Sequence, residues 1–332
     1  MPVTDTSARS SWLRYFLRRN YRTIIAFAML VILFIAYLVV YPGRLSDHFF
    51  SAWANQGAGL AFAAVGQTLV VLTSGIDMSI GSIFALTNCI ASVFLNGDVY
   101  HILIAVILIL GAGIFCGFIN GMLISYTRIQ PIILTIATGA VYYGIALFIR
   151  PVSGGSVSEA LSDALTYSMF HIPTSLMLLF GTLILFWVLL KRTKLYIGIY
   201  AIGSSEKSAF MSGVKVRQAK VAAYMFSGLF ASLGGLFLSL QTLTGDALIG
   251  NTYTLNSVAA TVIGGTALAG GTGAIFGSVI GSYLLRTLKG LMFFAGIAPM
   301  AQPLFEGILL MCALSIGSIR LLGMKSKIEV FR

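Results

Sequence analysis

The chain has 332 residues, of which 58% are hydrophobic and only 9% are charged. Because soluble globular proteins carry about 25% charged residues, this composition excludes an ordinary water-solvated surface, and it is also too apolar for intrinsic disorder. The formal net charge of +11 comes from basic residues between apolar runs, which is typical of loops facing anionic lipid rather than of nucleic-acid binding. Since a transmembrane helix needs about 20 apolar residues, the sequence predicts an all-α polytopic membrane protein.

Soluble modules and catalytic sites lack sequence support. No polar stretch exceeds about 30 residues, far below the ~100–150 residues of a typical domain. Neither a GxxxxGK[ST] loop nor an HExxH, GxSxG or paired intramembrane carboxylate motif is present, so the sequence predicts neither an enzyme nor a cofactor on this chain. Cys89, Cys116 and Cys312 lie in apolar segments without metal-ligand spacing, and we interpret them as packing residues.

The N-terminal segment alternates arginines with aromatic and apolar residues over 9–22. This pattern predicts a short interfacial helix that leads into a first span, Ile24 to Tyr41. A cleaved signal peptide is the alternative, but the apolar run is longer than a usual signal h-region and no A-x-A-like site follows it.

Nine further apolar runs follow, at 57–73, 79–95, 102–126, 131–149, 174–190, 219–241, 254–268, 274–294 and 299–319. The run 254–268 rises only about 22 Å, which is short of a ~30 Å hydrocarbon core, so it is either a short span or a re-entrant segment. The prediction is about ten transmembrane helices.

The distribution of basic residues favours ten spans with both termini inside. In that arrangement 17 of the 21 basic residues face the cytoplasm, and Arg44, Arg150, Arg286 and Lys289 remain outside. Nine spans give 15 inside and six outside, which fits the positive-inside rule less well. The predicted organisation is a cytoplasmic interfacial segment over 1–23, a transmembrane domain over 24–320 with a cytoplasmic loop at 191–218, and a cytoplasmic tail over 321–332.

An internal repeat supports this layout. Shifting the sequence by 169 positions superposes 59–81 on 228–250 with eight identities in 23 positions. The identical pairs include Asp77 with Asp246 and Gly81 with Gly250. In the ten-span arrangement the two copies cross the membrane in opposite directions, as the inverted repeats of many transporters do.

Polar residues concentrate where the second and third apolar runs meet. Glycine, hydroxyl and carboxylate residues interrupt the apolar sequence over 73–82, and such a break at membrane depth is tolerated only inside protein or beside a water-filled path. Asp77 either caps the helix that begins near Ser79 or lines a substrate path, and both roles are compatible. The predicted pathway residues are Gln67, Thr73, Asp77, Ser79, Asn120, Asn251 and Asn256.

A glycine-rich stretch runs from Val262 to Gly277 and extends to Gly281. Small residues let helices approach closely, so we expect tight packing of the short segment rather than a phosphate-binding loop, for which the lysine is missing.

The longest predicted cytoplasmic loop contains a short capped helix. Ser204 or Ser205 can cap it, Glu206 lies at its positive end, and Gly213 ends it. Its exposed apolar residues suit a partner's groove, although the helix could instead lie flat on lipid headgroups. The predicted coupling residues are Ser204, Ser205, Glu206, Lys207, Ala209, Phe210, Met211 and Gly213.

Four ordered motifs resemble the ribose-type permeases of ABC importers. The run from Gln67 to Ser82 resembles their T-G-G-I-D-L-S-V-G-S signature, and Asn120-Gly121 through Arg128, Pro131 and Thr135 resembles the next segment. The run from Tyr200 to Ala209 with Ser212-Gly213 is similar to the family's coupling loop. Val262 to Thr266, with Gly270, Gly271 and Gly277, is similar to its late glycine block.

The resemblance implies a multi-pass permease of the bacterial inner membrane that carries a monosaccharide. It implies a second permease, identical or paralogous, ATPase subunits that hold ATP and Mg²⁺, and a periplasmic binding protein. Members of the superfamily also carry nucleosides, autoinducer-2 or branched-chain amino acids, and the family's usual acidic residue is replaced by Asn256. An ion-gradient-driven secondary transporter is the alternative from another class. Because no basic residue is expected at the centre of a span, the predicted cargo is neutral.

Overall fold

The computed structural model describes residues 6–127, 129–169, 171–308 and 311, with side chains from Tyr21 onward. Its helices are α1 (Thr6–Val40), α2 (Asp47–Val71), α3 (Ile80–Phe94), α4 (Val99–Tyr126), α5 (Pro131–Ile149), α6 (Glu159–Thr166), α7 (Thr174–Lys191), α8 (Lys194–Ser204), α9 (Glu206–Met211), α10 (Val216–Thr242), α11 (Gly250–Ile263) and α12 (Ile275–Phe294). A 3₁₀ turn at Ala247–Ile249 precedes α11, and residues 302–308 are helical. The strands β1 (Ser168–Met169) and β2 (Ile172–Pro173) form a two-residue antiparallel hairpin.

Five of the described helical segments are long and apolar enough to cross a membrane: Tyr21–Val40, Val99–Tyr126, Pro131–Ile149, Thr174–Lys191 and Val216–Thr242. Large apolar side chains stay exposed along these helices, for example Ile133 on α5 and Leu185 on α7. Exposed apolar surface on this scale marks contact with lipid or with another protein. The prediction of a helical polytopic membrane protein is therefore confirmed.

Helix α2 lies at the centre of the bundle. Nearly all its residues from Ala54 to Val71 are buried, and a helix that is apolar on all sides is expected to be surrounded by other helices. It packs against α10, which is also mostly buried. The close pairs Gly59 with Gly234 and Gly66 with Ser227 show that the two helices are antiparallel, because the positions rise along one helix as they fall along the other.

Glycines spaced four residues apart allow α4 to pack directly on the backbone of α10. Gly113, Gly117 and Gly121 leave no room for a Cβ against Gly228, Tyr224 and Val221, respectively. The three glycines lie on one face of α4, as small residues do at close helix–helix contacts in membranes. Helix α10 is thereby held between α2 and α4.

The glycine-rich stretch brings α11 and α12 together. Gly264 and Gly277 each lie against the other's carbonyl, and Gly281 lies against the carbonyl of Ala260. The expectation of tight packing is confirmed. Helix α11 has 14 residues, which corresponds to about 21 Å, so the short element predicted at 254–268 is present at 250–263.

Several details differ from expectation. Helix α1 begins at Thr6 and continues without a break across residues 23 and 24, so the predicted interfacial segment and the first span belong to one continuous helix. Arg286 and Lys289 were expected outside the spans, but both lie within α12. Helix α6 and the β1–β2 hairpin were not predicted. Cys89 and Cys116 are buried and unpaired, as expected for packing residues, while the predicted span 299–319 continues beyond the described residues, and Arg128, Cys312 and the tail 321–332 lie outside them.

Candidate functional site

The chain breaks between α2 and α3 exactly where the polar cluster was predicted, over residues 72–79. Ser74 has a positive φ of 63°, a left-handed conformation that is uncommon for residues with a side chain. The turn is closed by hydrogen bonds from Ser74 N to Val71 O (2.9 Å) and from Gly75 N to Val70 O (3.2 Å). A Cβ at position 75 would lie 2.7 Å from the Tyr224 hydroxyl, so a residue larger than glycine would have to displace that side chain.

Asp77 is fully buried within this break. Its Oδ1 accepts hydrogen bonds from the backbone N–H of Ser79 (3.0 Å) and from the Ser79 hydroxyl (2.6 Å). Its Oδ2 accepts from the hydroxyl of Ser227 on α10 (2.8 Å). No ion pair to Asp77 occurs in the described part of the chain, so dipolar groups alone solvate the carboxyl group. Such an arrangement is costly to build in an apolar interior, which marks it as a candidate functional group.

Further side chains extend these contacts across four helices. The Gln67 amide donates to the Asp77 carbonyl (3.0 Å) and accepts from the Asp77 N–H (3.2 Å). Asn120 on α4 donates to the Ser79 hydroxyl (2.7 Å), and the Tyr142 hydroxyl on α5 lies 3.1 Å from Asn120 Oδ1. These groups, listed together, form what we term the Asp77 centre: Gln67, Asp77, Ser79, Asn120, Tyr142 and Ser227.

The structure thus unites four of the seven predicted pathway residues, namely Gln67, Asp77, Ser79 and Asn120. Thr73 is buried but turns back onto its own helix, donating to Val70 O (2.8 Å). Asn251 lies exposed on α11, and Asn256 lines a separate cavity. The capping interpretation of Asp77 agrees with its bond to Ser79 N, although α3 begins only at Ile80.

Sequence reasoning missed Ser227, which lies 150 positions from Asp77. Ser227 is one of three serines in α10, and nothing in the sequence distinguishes it from a helix-packing residue. Thr135, noted only within a family motif, accepts from Met78 N (3.0 Å) and so fixes α5 against the break. Tyr142 was not among the predicted pathway residues.

The second feature is a cavity of about 220 Å³ beside α10, α11 and α12. Its polar lining consists of Gln241, Thr242, Thr252, Tyr253, Asn256 and Arg286. The Tyr253 ring stacks on Phe84, with ring centroids 4.0 Å apart. The cavity therefore combines amides, hydroxyls and one guanidinium within an otherwise apolar bundle.

Arg286 was expected outside the spans, but it is the twelfth of the 20 residues of α12 and so lies inside a helix rather than in a loop. Its Nε is buried without a hydrogen-bond partner, and no carboxylate pairs with it among the described residues. Lys289, one turn further on, does have a partner, Glu306 (2.9 Å). A partly buried cation without a counter-charge among the described residues is itself a functional-site candidate.

A second chain break between α10 and α11 resembles the first. Leu243 has a positive φ of 55°, as Ser74 does, and it lies 169 positions after Ser74. Asp246 Oδ1 accepts from Leu248 N (2.8 Å) in the same two-residue turn that Asp77 makes with Ser79. Beyond the breaks, Gly81 and Gly250 lie against each other's carbonyl groups.

The predicted coupling segment forms α9. Ser205 caps it by accepting from Ser208 N (3.3 Å), whereas Ser204 ends α8 and donates to Tyr200 O. At the other end Gly213 has φ 81°, and Val214 N bonds Ala209 O while Gly213 N bonds Phe210 O. This is the Schellman arrangement.

One face of α9 is buried and the other is exposed. Ala209 is buried, and Glu206 pairs with Lys220 of α10 (2.8 Å), which fixes the helix on the bundle. Phe210 and Met211 are 71% and 78% exposed. Two large apolar side chains at the tip of a short, fixed helix form a candidate docking surface.

Comparison with known proteins matches residues 49–314 to the permease component of branched-chain amino acid transport systems. The chain is similar to the ribose import permease protein of Bacillus subtilis (strain 168), with 33% identity over 75% of this chain and 78% of that protein. It is 31% identical to the ribose import permease protein of Escherichia coli (strain K12) over 84% of this chain and 90% of that one. The D-allose transport system permease protein of the same Escherichia coli strain is 30% identical to this chain, over 77% of this chain and 80% of that protein. No solved structure matches the sequence.

Proposed function

Because the chain belongs to the permease family of branched-chain amino acid transport systems, we propose that it is the transmembrane subunit of a binding-protein-dependent ABC importer for a monosaccharide. The similarity to ribose and D-allose permeases over most of the chain carries this proposal. The permease supplies the path, and ATP with Mg²⁺ is bound and hydrolysed by partner ATPase subunits. A periplasmic binding protein delivers the solute.

The coupling role belongs to α9 in this proposal. Phe210 and Met211 project from a helix that is fixed by its caps and by the Glu206–Lys220 pair. A few buried apolar anchors carry most of the energy of a groove contact. An ATPase groove that closes on ATP would therefore move α9, and through it the neighbouring helices. The alternative is that α9 lies on the lipid headgroups, and the Phe210→Asp experiment below addresses it.

The path itself is proposed to include the Asp77 centre, Thr73, Asn251 and the cavity beside Asn256. The Asp77 centre joins α2, α4, α5 and α10 through buried hydrogen bonds, so a change in helix arrangement must break or exchange them. The cavity offers hydroxyl, amide and guanidinium groups to the oxygens of a sugar. Selectivity then lies mostly with the binding protein, and the permease needs only weak contacts.

We also propose the ten-span arrangement with an inverted repeat and both termini in the cytoplasm. The antiparallel packing of α2 and α10 and the matching breaks at Ser74 and Leu243 support it. So does the distribution of basic residues between loops. A second permease, identical or paralogous, would complete the transporter in the bacterial inner membrane.

Reconstitution tests the proposal. The permease is purified with its ATPase, placed in proteoliposomes with the binding protein, and assayed for uptake of a labelled pentose or hexose. Uptake should require ATP and persist when ion gradients are dissipated. Uptake driven by a proton or sodium gradient without ATP would favour the secondary transporter instead.

Phe210→Asp tests the docking surface within the same assay. We expect the variant to fold, to lose the co-purifying ATPase and to lose uptake. Val152→Asp is the matched control, because Val152 is an apolar residue that is 78% exposed in the segment after α5 and the residue introduced is again aspartate. If Phe210→Asp retains the ATPase and transports normally, α9 is not the docking helix.

A further inference from the structure

Three loops of the described structure meet at one point. The break after α2 contributes Leu72 to Gly75, the end of α8 contributes Gly203 and Ser204, and the loop between α11 and α12 contributes 269–271. Gly271 N donates to Leu72 O (3.1 Å). The Ser74 hydroxyl lies 2.8 Å from Ala269 O and 3.2 Å from Gly203 O. We call this the three-loop junction.

The junction consists of close backbone contacts that the Ser74 hydroxyl joins through its two hydrogen bonds. Gly203 has no room for a Cβ against Leu72 O and Gly271 N. Gly270 and Gly271 have positive φ values of 86° and 70°, which glycine adopts without steric cost. Backbone segments in direct contact cannot take up displacement by changing rotamers, so movement of one requires movement of the others.

The two ends of the junction lead to different parts of the molecule. Gly203 lies two residues before Ser205, which caps α9, and Ala209 of α9 packs in a cluster with Ile202 and Val216. Ser74 lies three residues before Asp77. The junction therefore connects the docking helix with the buried Asp77 centre through two residues of α8, one hydrogen bond of Ser74 and three residues of the break.

We propose that the three-loop junction transmits movement of α9 to the Asp77 centre, and that Ser74 and Gly203 are its positioning residues. The proposal rests on the proposed function, in which an ATPase docks on α9. Ser74 adopts its left-handed conformation where glycine would be less strained, and its hydroxyl contacts carbonyl groups of both other loops.

Ser74→Gly is the sharpest test. Glycine accepts φ 63° freely, so the substitution keeps the turn and removes only the hydroxyl that joins the loops. Since Ser74 is exposed, its hydrogen bonds compete with water and their loss should leave folding intact. In the reconstituted transporter we expect ATP hydrolysis to continue while the amount of solute imported per ATP falls several-fold.

Gly203→Ala should lower the same ratio, because its new Cβ separates the end of α8 from Leu72. Two controls match these changes. Leu243→Gly relaxes the corresponding left-handed residue at the second break, and Gly181→Ala adds a Cβ on α7 with nothing within 4 Å. Both controls should keep the wild-type ratio. Should Gly203→Ala fail to fold, Ser74→Gly alone decides.

The outcomes separate this proposal from the function on which it rests. An unchanged solute-to-ATP ratio in Ser74→Gly refutes the junction as the linkage and leaves the ABC permease assignment intact. Wild-type uptake that needs no ATP refutes the proposed function, and this proposal with it. An equal fall in Leu243→Gly and Ser74→Gly would also refute the junction, because it would show that backbone relaxation alone lowers the ratio.

Discussion

Asp77→Ala should destabilise the permease far more than removal of the corresponding carboxylate in the second break. Asp77 accepts three hydrogen bonds in a fully buried site. In the variant, the hydroxyls of Ser79 and Ser227 can rotate to donate to main-chain carbonyl groups, but the backbone N–H of Ser79 cannot reorient and loses its acceptor. Hydrogen bonds to charged groups contribute about 1.5–3 kcal/mol each to stability. Removing the carboxylate also removes its desolvation cost, which offsets part of that loss. We therefore expect the free energy of unfolding to fall by about 3 kcal/mol.

Two companion substitutions sharpen this prediction. Asp77→Asn keeps an acceptor for Ser79 N and can donate to the Ser227 oxygen, so we expect a loss of about 1 kcal/mol or less. Asp246→Ala removes one side-chain hydrogen bond, to Leu248 N at a partly buried site, and should cost about 1 kcal/mol, the usual value for a lost cap.

Thermal unfolding of the detergent-purified proteins measures these differences, and uptake in proteoliposomes measures function. The expected order of Tm is wild type and Asp77→Asn highest, Asp246→Ala next and Asp77→Ala lowest. Low uptake by a stable Asp77→Asn variant would assign the charge to transport, whereas full uptake would leave Asp77 with capping alone. Equal Tm values for Asp77→Ala and Asp246→Ala would refute the reasoning from buried hydrogen bonds.

Two further predictions concern helix contact and the cavity. Gly250→Ala places a Cβ 2.6 Å from the Gly81 carbonyl oxygen and should lower the free energy of unfolding by about 1–3 kcal/mol. Gly144→Ala is the control, because a Cβ there has nothing within 4 Å, and it should leave stability unchanged. Equal effects of the two substitutions would contradict the helix contact. Arg286→Gln removes the unpaired cation but keeps a hydrogen-bonding side chain, so uptake should fall several-fold while Tm holds or rises. Unchanged uptake would separate the cavity from the path.

The sequence predicted the break at Asp77 well because its signals are local. Glycine, serine and aspartate interrupt an apolar run, and each favours a turn or a cap for its own physical reason. Close packing of α11 on α12 was predictable on similar grounds. Gly264, Gly277 and Gly281 have no side chain, so the backbone of the facing helix can lie directly against them. Local patterns report local geometry.

The features that the sequence did not predict fall into two groups. Some depend on contacts between segments that are distant in sequence, and others lie where hydropathy averaged over a window gives no local signal. Ser227 meets Asp77 only because α10 packs against α2, and nothing near Ser227 in sequence indicates this. Arg286 was assigned to the outside in the count of basic residues although it falls within the apolar run 274–294, and the structure places it inside α12. Helix α6 and the β1–β2 hairpin fall in a stretch without apolar periodicity, where hydropathy gives no prediction.

The two halves of the proposed repeat share their backbone geometry but not their side-chain anchors. The left-handed residue, the two-residue aspartate turn and the glycine contact occur in both, and each is required for a helix to stop and restart inside the bundle. The groups that hold Asp77 do not recur. Gln67 and Ser79 correspond to Leu236 and Leu248, and Ser227 corresponds to Ala58.

This asymmetry gives the two breaks different strengths. The first is held by three bonds to a buried carboxyl group and by the Gln67 amide. The second has the Asp246 turn, two bonds with the Asn88 amide (Asp246 N to Oδ1, 2.8 Å, and Nδ2 to Thr244 O, 3.3 Å) and a backbone pair between Gly154 and Gly245. Its carboxyl group, however, is only partly buried and accepts a single bond, from Leu248 N. A transporter that opens alternately to two sides must open at one break while the other stays closed. Identical hydrogen-bonding groups at the two breaks would give both the same free energy of opening. Divergence at Leu236, Leu248 and Ala58 removes that equality while leaving the breaks themselves in place.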